Sequence, residues 1–130
     1  MKHLAALLIM VIMASSNCKA MKPETVITVT FSGEKQKTIR VHKGDTLLIK
    51  LQMASGTGFV WQASGKPILC KQLNTTYEHT KRNKPGAPLI EVMDFITVSS
   101  GVEDMTFVYR RPFENKVAAA KTKTLRLIVQ

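Results

Sequence analysis

Residues 41–51 read VHKGDTLLIKL, in which a Lys43-Gly44-Asp45 turn separates two runs of alternating apolar and polar residues. Leu47, Ile49 and Leu51 share one face of the second run, and this period of two predicts a half-buried β-strand. The same period recurs on both sides of this stretch. It predicts further core positions at Ile27, Val29, Phe31, Ile39, Val41, Met105, Phe107, Tyr109, Leu125, Leu127 and Val129.

The stretch 90–98 is also strand-like, although Glu91 and Asp94 obscure which of its faces points inward. No helical period follows residue 23. Many short strands separated by Gly, Pro, Asn and Ser predict an all-β fold, an antiparallel β-sandwich. A sandwich of about 110 residues can bury a full core, so neither a metal nor a disulfide is needed to hold it together.

The composition fits one soluble globular domain. Of 130 residues, 45% are apolar and 22% are charged, which excludes a disordered chain. Lys and Arg total 19 against 9 Asp and Glu, a formal net charge of +10 that is spread along the chain. Two cysteines cannot build a disulfide scaffold or a four-ligand zinc site.

The segment 1–20 has the layout of a secretory signal peptide. A short basic start precedes the apolar run 4–13, which is shorter than the roughly 20 residues that span a bilayer. We therefore expect export to an extracellular, periplasmic, membrane-anchored or secretory compartment, with a mature domain at 21–130. Cleavage after Ala20 competes with a lipoprotein cut before Cys18, whose lipid would be the protein's attachment to a membrane.

Three stretches depart from the alternation. Residues 53–58 form a small-residue loop that runs directly into Phe59 and Trp61, residues 84–88 read KPGAP, and residues 109–114 read YRRPFE. Loops of this kind on a rigid sandwich commonly carry binding function.

In this order, the three stretches resemble the motifs of the chagasin family of cysteine-peptidase inhibitors. Thr57-Gly58-Phe59 followed by Trp61 matches the end of the family's first motif, and Gly86-Ala87 matches part of its middle loop. Arg111-Pro112-Phe113 matches the last motif with Phe in place of Trp. Ala54-Ser55-Gly56 stands where the family has Asn-Pro-Thr, and the lost proline raises the ordering cost on binding by about 0.4–1 kcal/mol. The resemblance covers roughly residues 25 to 130.

The resemblance implies an immunoglobulin-like sandwich whose three loops gather at one end. There they would enter the active-site cleft of a papain-like cysteine peptidase and inhibit it reversibly, with the inhibitor acting as a monomer and without a cofactor. Trp61 would support the first loop from beneath, and Arg111 would either brace the loops or touch the enzyme. The implied peptidase-binding residues are Ser55, Gly56, Thr57, Gly58, Phe59, Gly86, Ala87, Arg111, Pro112 and Phe113.

Other functions have weaker support. An enzyme would have to use Cys70 with His42 or His79, and Cys70 is interpreted instead as a small buried hydrophobe. The basic run 71–84 is interpreted as a solvated polar loop rather than a nucleic-acid site, and its one suggested role is to steer the protein toward an acidic peptidase. A plain adhesion or envelope module is the alternative that would explain the fold and the signal. Asn74-Thr75-Thr76 matches the N-glycosylation pattern.

Overall fold

The computed structural model describes residues 25–80, 84–114 and 116–130, so the expected signal peptide and Cys18 lie outside the described residues. In those ranges the chain forms eight strands and no helix, and hence no helix long and apolar enough to cross a membrane. The strands are β1 Val26–Thr30, β2 Gln36–Val41, β3 Thr46–Met53, β4 Val60–Ala63, β5 Cys70–His79, β6 Leu89–Thr97, β7 Gly101–Arg110 and β8 Lys121–Val129.

Two four-stranded sheets form the sandwich, which confirms the predicted all-β fold. One sheet has the order β1-β3-β6-β5 and the other has the order β2-β8-β7-β4. The antiparallel pairs predominate, but β1 runs parallel to β3 and β2 runs parallel to β8. Alternation of apolar residues fixes which face of a strand is buried and carries no information on strand direction, so these two pairs were not foreseen.

The core lies between the sheets and includes the positions that the alternation predicted, except that Ile27 and Ile39 are half-buried at its margin. Leu47, Phe95 and Phe107 are fully buried, and the two phenylalanine rings meet edge to face across the sandwich, 6.2 Å apart at their centroids. Burying one such side chain contributes about 1.5–3 kcal/mol. In β6 the inward face is the one that carries Glu91, which is 1% exposed, while Asp94 is half-exposed on the outer face.

The interpretation of residues 71–84 as an irregular polar loop is wrong for most of that stretch. Cys70–His79 form β5, which pairs with β6 along its whole length and contains a bulge at Leu73. The strand lies at the edge of its sheet, where only Cys70 is buried and Thr75 is half-buried. Because both of its faces are solvated, its sequence has no apolar alternation and is indistinguishable from a polar loop.

Strand register brings three connections to the same end of the sandwich, which we call the loop end. Met53 of β3 and His79 of β5 both lie beside Leu89, so the first loop (54–59) leaves the sheet at the same level as the middle loop (80–88). In the other sheet Val60 lies beside Arg110, where the last loop (111–120) begins. The loops therefore meet because of pairing that the sequence alone does not specify.

Candidate functional site

A column of side chains rises from the core to the loop end. The Trp61 and Tyr109 rings are 4.9 Å apart at their centroids, and Phe59 stacks on Tyr109 at 5.2 Å. The Arg111 guanidinium lies 4.7 Å above the centre of the Phe59 ring. Trp61 and Tyr109 are buried and Phe59 is half-buried, so the column gives the loops an ordered base. Aromatic pairs of this kind contribute about 0.5–1.5 kcal/mol beyond their burial.

Two side-chain hydrogen bonds fix the entry to the first loop. The Ala54 N–H donates to the Tyr109 hydroxyl at 2.9 Å, and Trp61 Nε1 donates to the Gln52 carbonyl at 2.9 Å. Both bonds cross from one sheet to the other. Trp61 and Tyr109 thus both connect the start of the first loop to the sandwich, and sequence reasoning had assigned Tyr109 only to the core.

Within the first loop, the Thr57 hydroxyl closes a compact turn. It donates to the Ala54 carbonyl at 3.2 Å and accepts from the Phe59 N–H at 3.4 Å. Gly56 and Gly58 have φ angles of 75° and 80°, in the left-handed region that residues with a Cβ rarely adopt. These bonds and angles hold the backbone of Thr57 outward at the tip.

Arg111 joins the first loop to the last. Its Nε donates to the Thr57 carbonyl at 3.0 Å, and its Nη1 donates to Glu114 Oε1 at 3.3 Å. The Glu114 N–H returns to the Arg111 carbonyl at 3.0 Å and closes the turn that carries Pro112. Of the two roles considered for Arg111, bracing is the one that these contacts provide. Glu114, which the sequence did not single out, orients the guanidinium.

At the tip of that turn, Phe113 projects into solvent. Its side chain is 76% exposed, and it follows the exposed Pro112. Its Cε1 atom lies 3.9 Å from the place where a Cβ would stand on Gly58, so the ring sits beside the first loop. An exposed aromatic ring that is held next to a glycine-rich tip offers an apolar anchor for a partner.

The middle loop is closed on itself. The Thr80 hydroxyl donates to the Pro88 carbonyl at 2.6 Å, and the Ala87 N–H donates to the Lys84 carbonyl at 3.2 Å. Gly86 is exposed and has a φ angle of 79°. Among the described residues, no hydrogen bond links this loop to either of the other two.

The structure divides the ten predicted binding residues by exposure. The exposed ones, which a partner can reach without rearrangement, are Gly56, Thr57, Gly58, Gly86, Pro112 and Phe113. The half-buried ones are Ser55, Phe59, Ala87 and Arg111. Of these, Phe59 stacks on Tyr109 and Arg111 joins the first loop to the last, so both residues order the loops. Contact of any of the ten with a peptidase stays a prediction.

Beneath Trp61 lies a buried carboxyl group that sequence reasoning missed. Glu91 lines a cleft of about 340 Å³ between the edge strands β4 and β5, and its Oε2 atom has no hydrogen-bond partner among the described residues. Burial raises the pKa of Glu91 to about 7, against the opposing effect of hydrogen bonds from the Tyr77 hydroxyl and the Trp61 backbone N–H. The only sequence signal was an acidic residue in an apolar strand.

Cys70 is a small buried hydrophobe, as predicted. It is 3% exposed, and its Sγ lies 3.5 Å from the Met105 sulfur. Burial, with a smaller effect from Glu103, raises the pKa of its thiol to about 11. His79 stands at the other end of the same ten-residue strand, about 30 Å away at 3.3 Å per residue. These two residues are therefore not assembled into a reactive pair.

The structure is thus a β-sandwich with three loops at one end, and Arg111 joins two of these loops. The family model for the chagasin family of peptidase inhibitors (I42) matches residues 40–127. The chain therefore belongs to the chagasin family, and the family resemblance noted in the sequence is confirmed.

Solved structures show the same fold at low sequence identity. The cysteine protease inhibitor EhICP2 from Entamoeba histolytica is 16% identical, with a TM-score of 0.71 over 84% of this chain and 99% of its own. Amebosin is 23% identical, with a TM-score of 0.56 over 84% and 100%. PbICP-C, solved in complex with falcipain-2, is 22% identical, with a TM-score of 0.51 over 84% and 93%. No curated protein sequence matches the chain. The sandwich is thus of the immunoglobulin-like type found in the chagasin family.

Proposed function

We propose that this protein is a reversible, tight-binding inhibitor of papain-like cysteine peptidases, whose first, middle and last loops occlude the active-site cleft. Its membership of a peptidase-inhibitor family supports this proposal. Two of the proteins that share its fold are the cysteine protease inhibitor EhICP2 and PbICP-C, which was solved in complex with falcipain-2.

The observation that carries the proposal is the brace between Arg111 and the Thr57 carbonyl. It holds two exposed features side by side, the Thr57 tip and the Phe113 ring. Because the brace exists before any partner arrives, little loop freedom is lost on binding, and a preorganised surface of this kind binds more tightly than a flexible peptide.

The same contact explains how such an inhibitor escapes cleavage. Hydrolysis requires a substrate carbonyl to turn toward the catalytic thiolate and the oxyanion hole. The Thr57 carbonyl at the tip is already bonded to Arg111 Nε at 3.0 Å, so it faces the inhibitor. The tip, flanked by two glycines, can fill the cleft by close backbone approach without presenting a bond for attack.

Titration of the purified protein into papain, with trypsin as the control, tests this function. We expect a stoichiometric loss of papain activity, no loss of trypsin activity, and an inhibitor whose mass is unchanged after recovery from the complex. Full papain activity in the presence of excess protein would overturn the proposal and favour a non-inhibitory adhesion or envelope module.

We also propose that the chain is exported, with residues 1–20 removed or with a lipid on Cys18. The support is the basic start, the apolar run and the small-residue exit of that segment. The mass of the protein isolated from its native membrane and soluble fractions distinguishes the two processing routes, and an unprocessed N-terminus would contradict both.

A further inference from the structure

The positive charge, which is spread along the sequence, is segregated once the chain folds. In the half of the sandwich nearest the loop end, every described acidic residue outside the buried core is paired with a base. The pairs are Glu34–Lys37 at 2.7 Å, Glu78–Lys50 at 3.1 Å and Glu114–Arg111 at 3.3 Å. The remaining acid of this half, Glu91, is buried.

Six bases of the same half have no acidic partner among the described residues. Lys84 and Lys116 are exposed in the middle and last loops, and Lys121 begins β8, directly after the last loop. Lys35 is exposed beside the same strand, where its carbonyl accepts the Thr124 N–H. The complete set is Lys35, Lys84, Arg110, Lys116, Lys121 and Lys123.

The half of the sandwich away from the loops is close to balanced. Arg126 pairs there with Asp104 at 3.3 Å. The other bases of that half are Arg40, Lys43, Lys66 and Lys71, and the other acids are Asp45, Asp94 and Glu103. Outside ion pairs, the excess of positive charge at the loop end is therefore six, or five when the buried Glu91 is ionised, against one at the opposite end.

The basic surface also contains a crevice beside the first loop. It has a volume of about 650 Å³ and is lined by Lys50, Lys121 and Lys123 together with the apolar Phe31 and Trp61. A carboxylate side chain that projects from a partner into this crevice would meet ammonium groups and apolar surface in its lining. The loop end thus suits a partner whose contacting surface is acidic.

We infer that this inhibitor is built for a papain-like peptidase whose active-site cleft is rimmed by acidic residues, and that the basic loop end steers the encounter. The inference rests on the proposed function. Complementary charges raise association rates by about 10- to 1,000-fold at low salt, and the effect fades as the Debye length shrinks from about 10 Å at 0.1 M to 3 Å at 1 M. The loops then determine how long the complex lasts.

The test compares association rates for two papain-like peptidases, one with an acidic and one with a basic cleft rim. The loop-end variant Lys84→Glu/Lys116→Glu is measured against Lys43→Glu/Lys66→Glu, which makes the same change in net charge at the opposite end. With the acidic-rimmed enzyme at low salt, we expect the loop-end variant to associate at least about tenfold more slowly and the control to stay within about twofold of the parent protein.

The salt dependence of the rates and the binding of DNA or anionic vesicles distinguish the remaining outcomes. The difference between the two variants should vanish near 1 M salt, and the parent protein should associate faster with the acidic-rimmed enzyme than with the basic-rimmed one. Equal slowing by both variants, salt-insensitive rates, or a preference of the loop end for DNA or anionic vesicles over the peptidase would overturn the inference. Because inhibition at high salt would persist in each case, the proposed function would still stand.

Discussion

The first and last loops differ from the middle loop in what holds them. The first and last loops are joined through Arg111, which contacts the Thr57 carbonyl, Glu114 and the Phe59 ring. Both loops lie above the stacked rings of Trp61 and Tyr109. The middle loop is held by its own Thr80–Pro88 bond and its Lys84–Ala87 turn. Among the described residues, the contacts that order the loops are therefore concentrated where the exposed Thr57 tip and the exposed Phe113 ring lie together.

The largest effect is expected from Thr57→Asp, in the first of the two loops that Arg111 joins. A carboxylate can still accept the Phe59 N–H but cannot donate to the Ala54 carbonyl as the hydroxyl does. Thr57→Val loses both hydroxyl bonds without adding a charge, so it separates the loss of these bonds from the effect of the charge. Burying an ionised carboxylate in the cleft contact should weaken inhibition of papain by several kcal/mol. The inhibition constant measures this effect, and Ser100→Asp in the exposed turn at the opposite end serves as the control. Unchanged inhibition by Thr57→Asp would remove the first loop from the catalytic centre.

A second effect is expected at Glu91, which accepts a hydrogen bond from the backbone N–H of Trp61, the residue beneath the first and last loops. Its folded pKa of about 7 lies above the ordinary value of 4.5, so the folded protein binds the proton more tightly than the unfolded chain does. Its contribution to stability is therefore complete below pH 4.5 and is lost as the pH rises through 7, a change of about 3 kcal/mol.

Glu91→Gln removes this dependence because an amide does not ionise. Between pH 5 and pH 8, we expect the free energy of unfolding of the variant to rise relative to that of the parent protein. The amide oxygen of the variant can still accept the Trp61 N–H. Urea denaturation across this pH range measures the difference. Parallel stability curves for the two proteins would show that Glu91 ionises as freely in the folded state as in the unfolded state.

Removal of the exposed ring by Phe113→Ala should weaken binding by roughly 1–3 kcal/mol, mainly through faster dissociation. The ring is 76% exposed in the free protein, so the variant should be as stable as the parent. Val117, an exposed apolar residue of the same loop, provides the control Val117→Ala. Dissociation rates that are equal for Phe113→Ala and the parent would exclude Phe113 from the interface.

The smallest effect is expected from a change in the contacts by which Arg111 joins the first and last loops. Arg111→Lys keeps the charge but loses the planar fork that reaches Thr57 and Glu114 together, which should cost about 1–1.5 kcal/mol of binding. Thr80→Val, which breaks the internal bond of the middle loop, should cost less than half of that, since no other loop depends on it. Inhibition constants for the two variants in the reverse order would show that the middle loop is the more important of the two regions.

Much of the core could be predicted from the sequence, because β3, β7 and β8 each bury one face and expose the other. β5 could not, because an edge strand that is solvated on both faces has no apolar period. Glu91 was ambiguous for a related reason: it occupies an inward position that the pattern reserves for apolar residues. The parallel partners of β1 and β2 could not be foreseen, since pairing is decided by the packing of the whole chain.

The candidate site shows a similar division. The motif residues identified the three loops, and the register then explained why they share one end. The bonds that order the loops were invisible beforehand, because Tyr109 is an ordinary core residue by its pattern and Glu114 is one acid among several. The separation of charge was hidden as well, since lysines that are distant in sequence become neighbours only in the folded sandwich.

The burial of Cys70 has a consequence for the redox conditions in which the protein can work. A thiol peptidase stays active only while its own cysteine is kept reduced, and under such conditions a strained or exposed disulfide is open to reduction and exchange. The described part of this chain carries one cysteine, a free thiol enclosed beside Met105 with its pKa raised to about 11. The sandwich therefore tolerates the reducing medium that its proposed target requires, and Cys70 stays inert toward exchange with the enzyme's reactive sulfur.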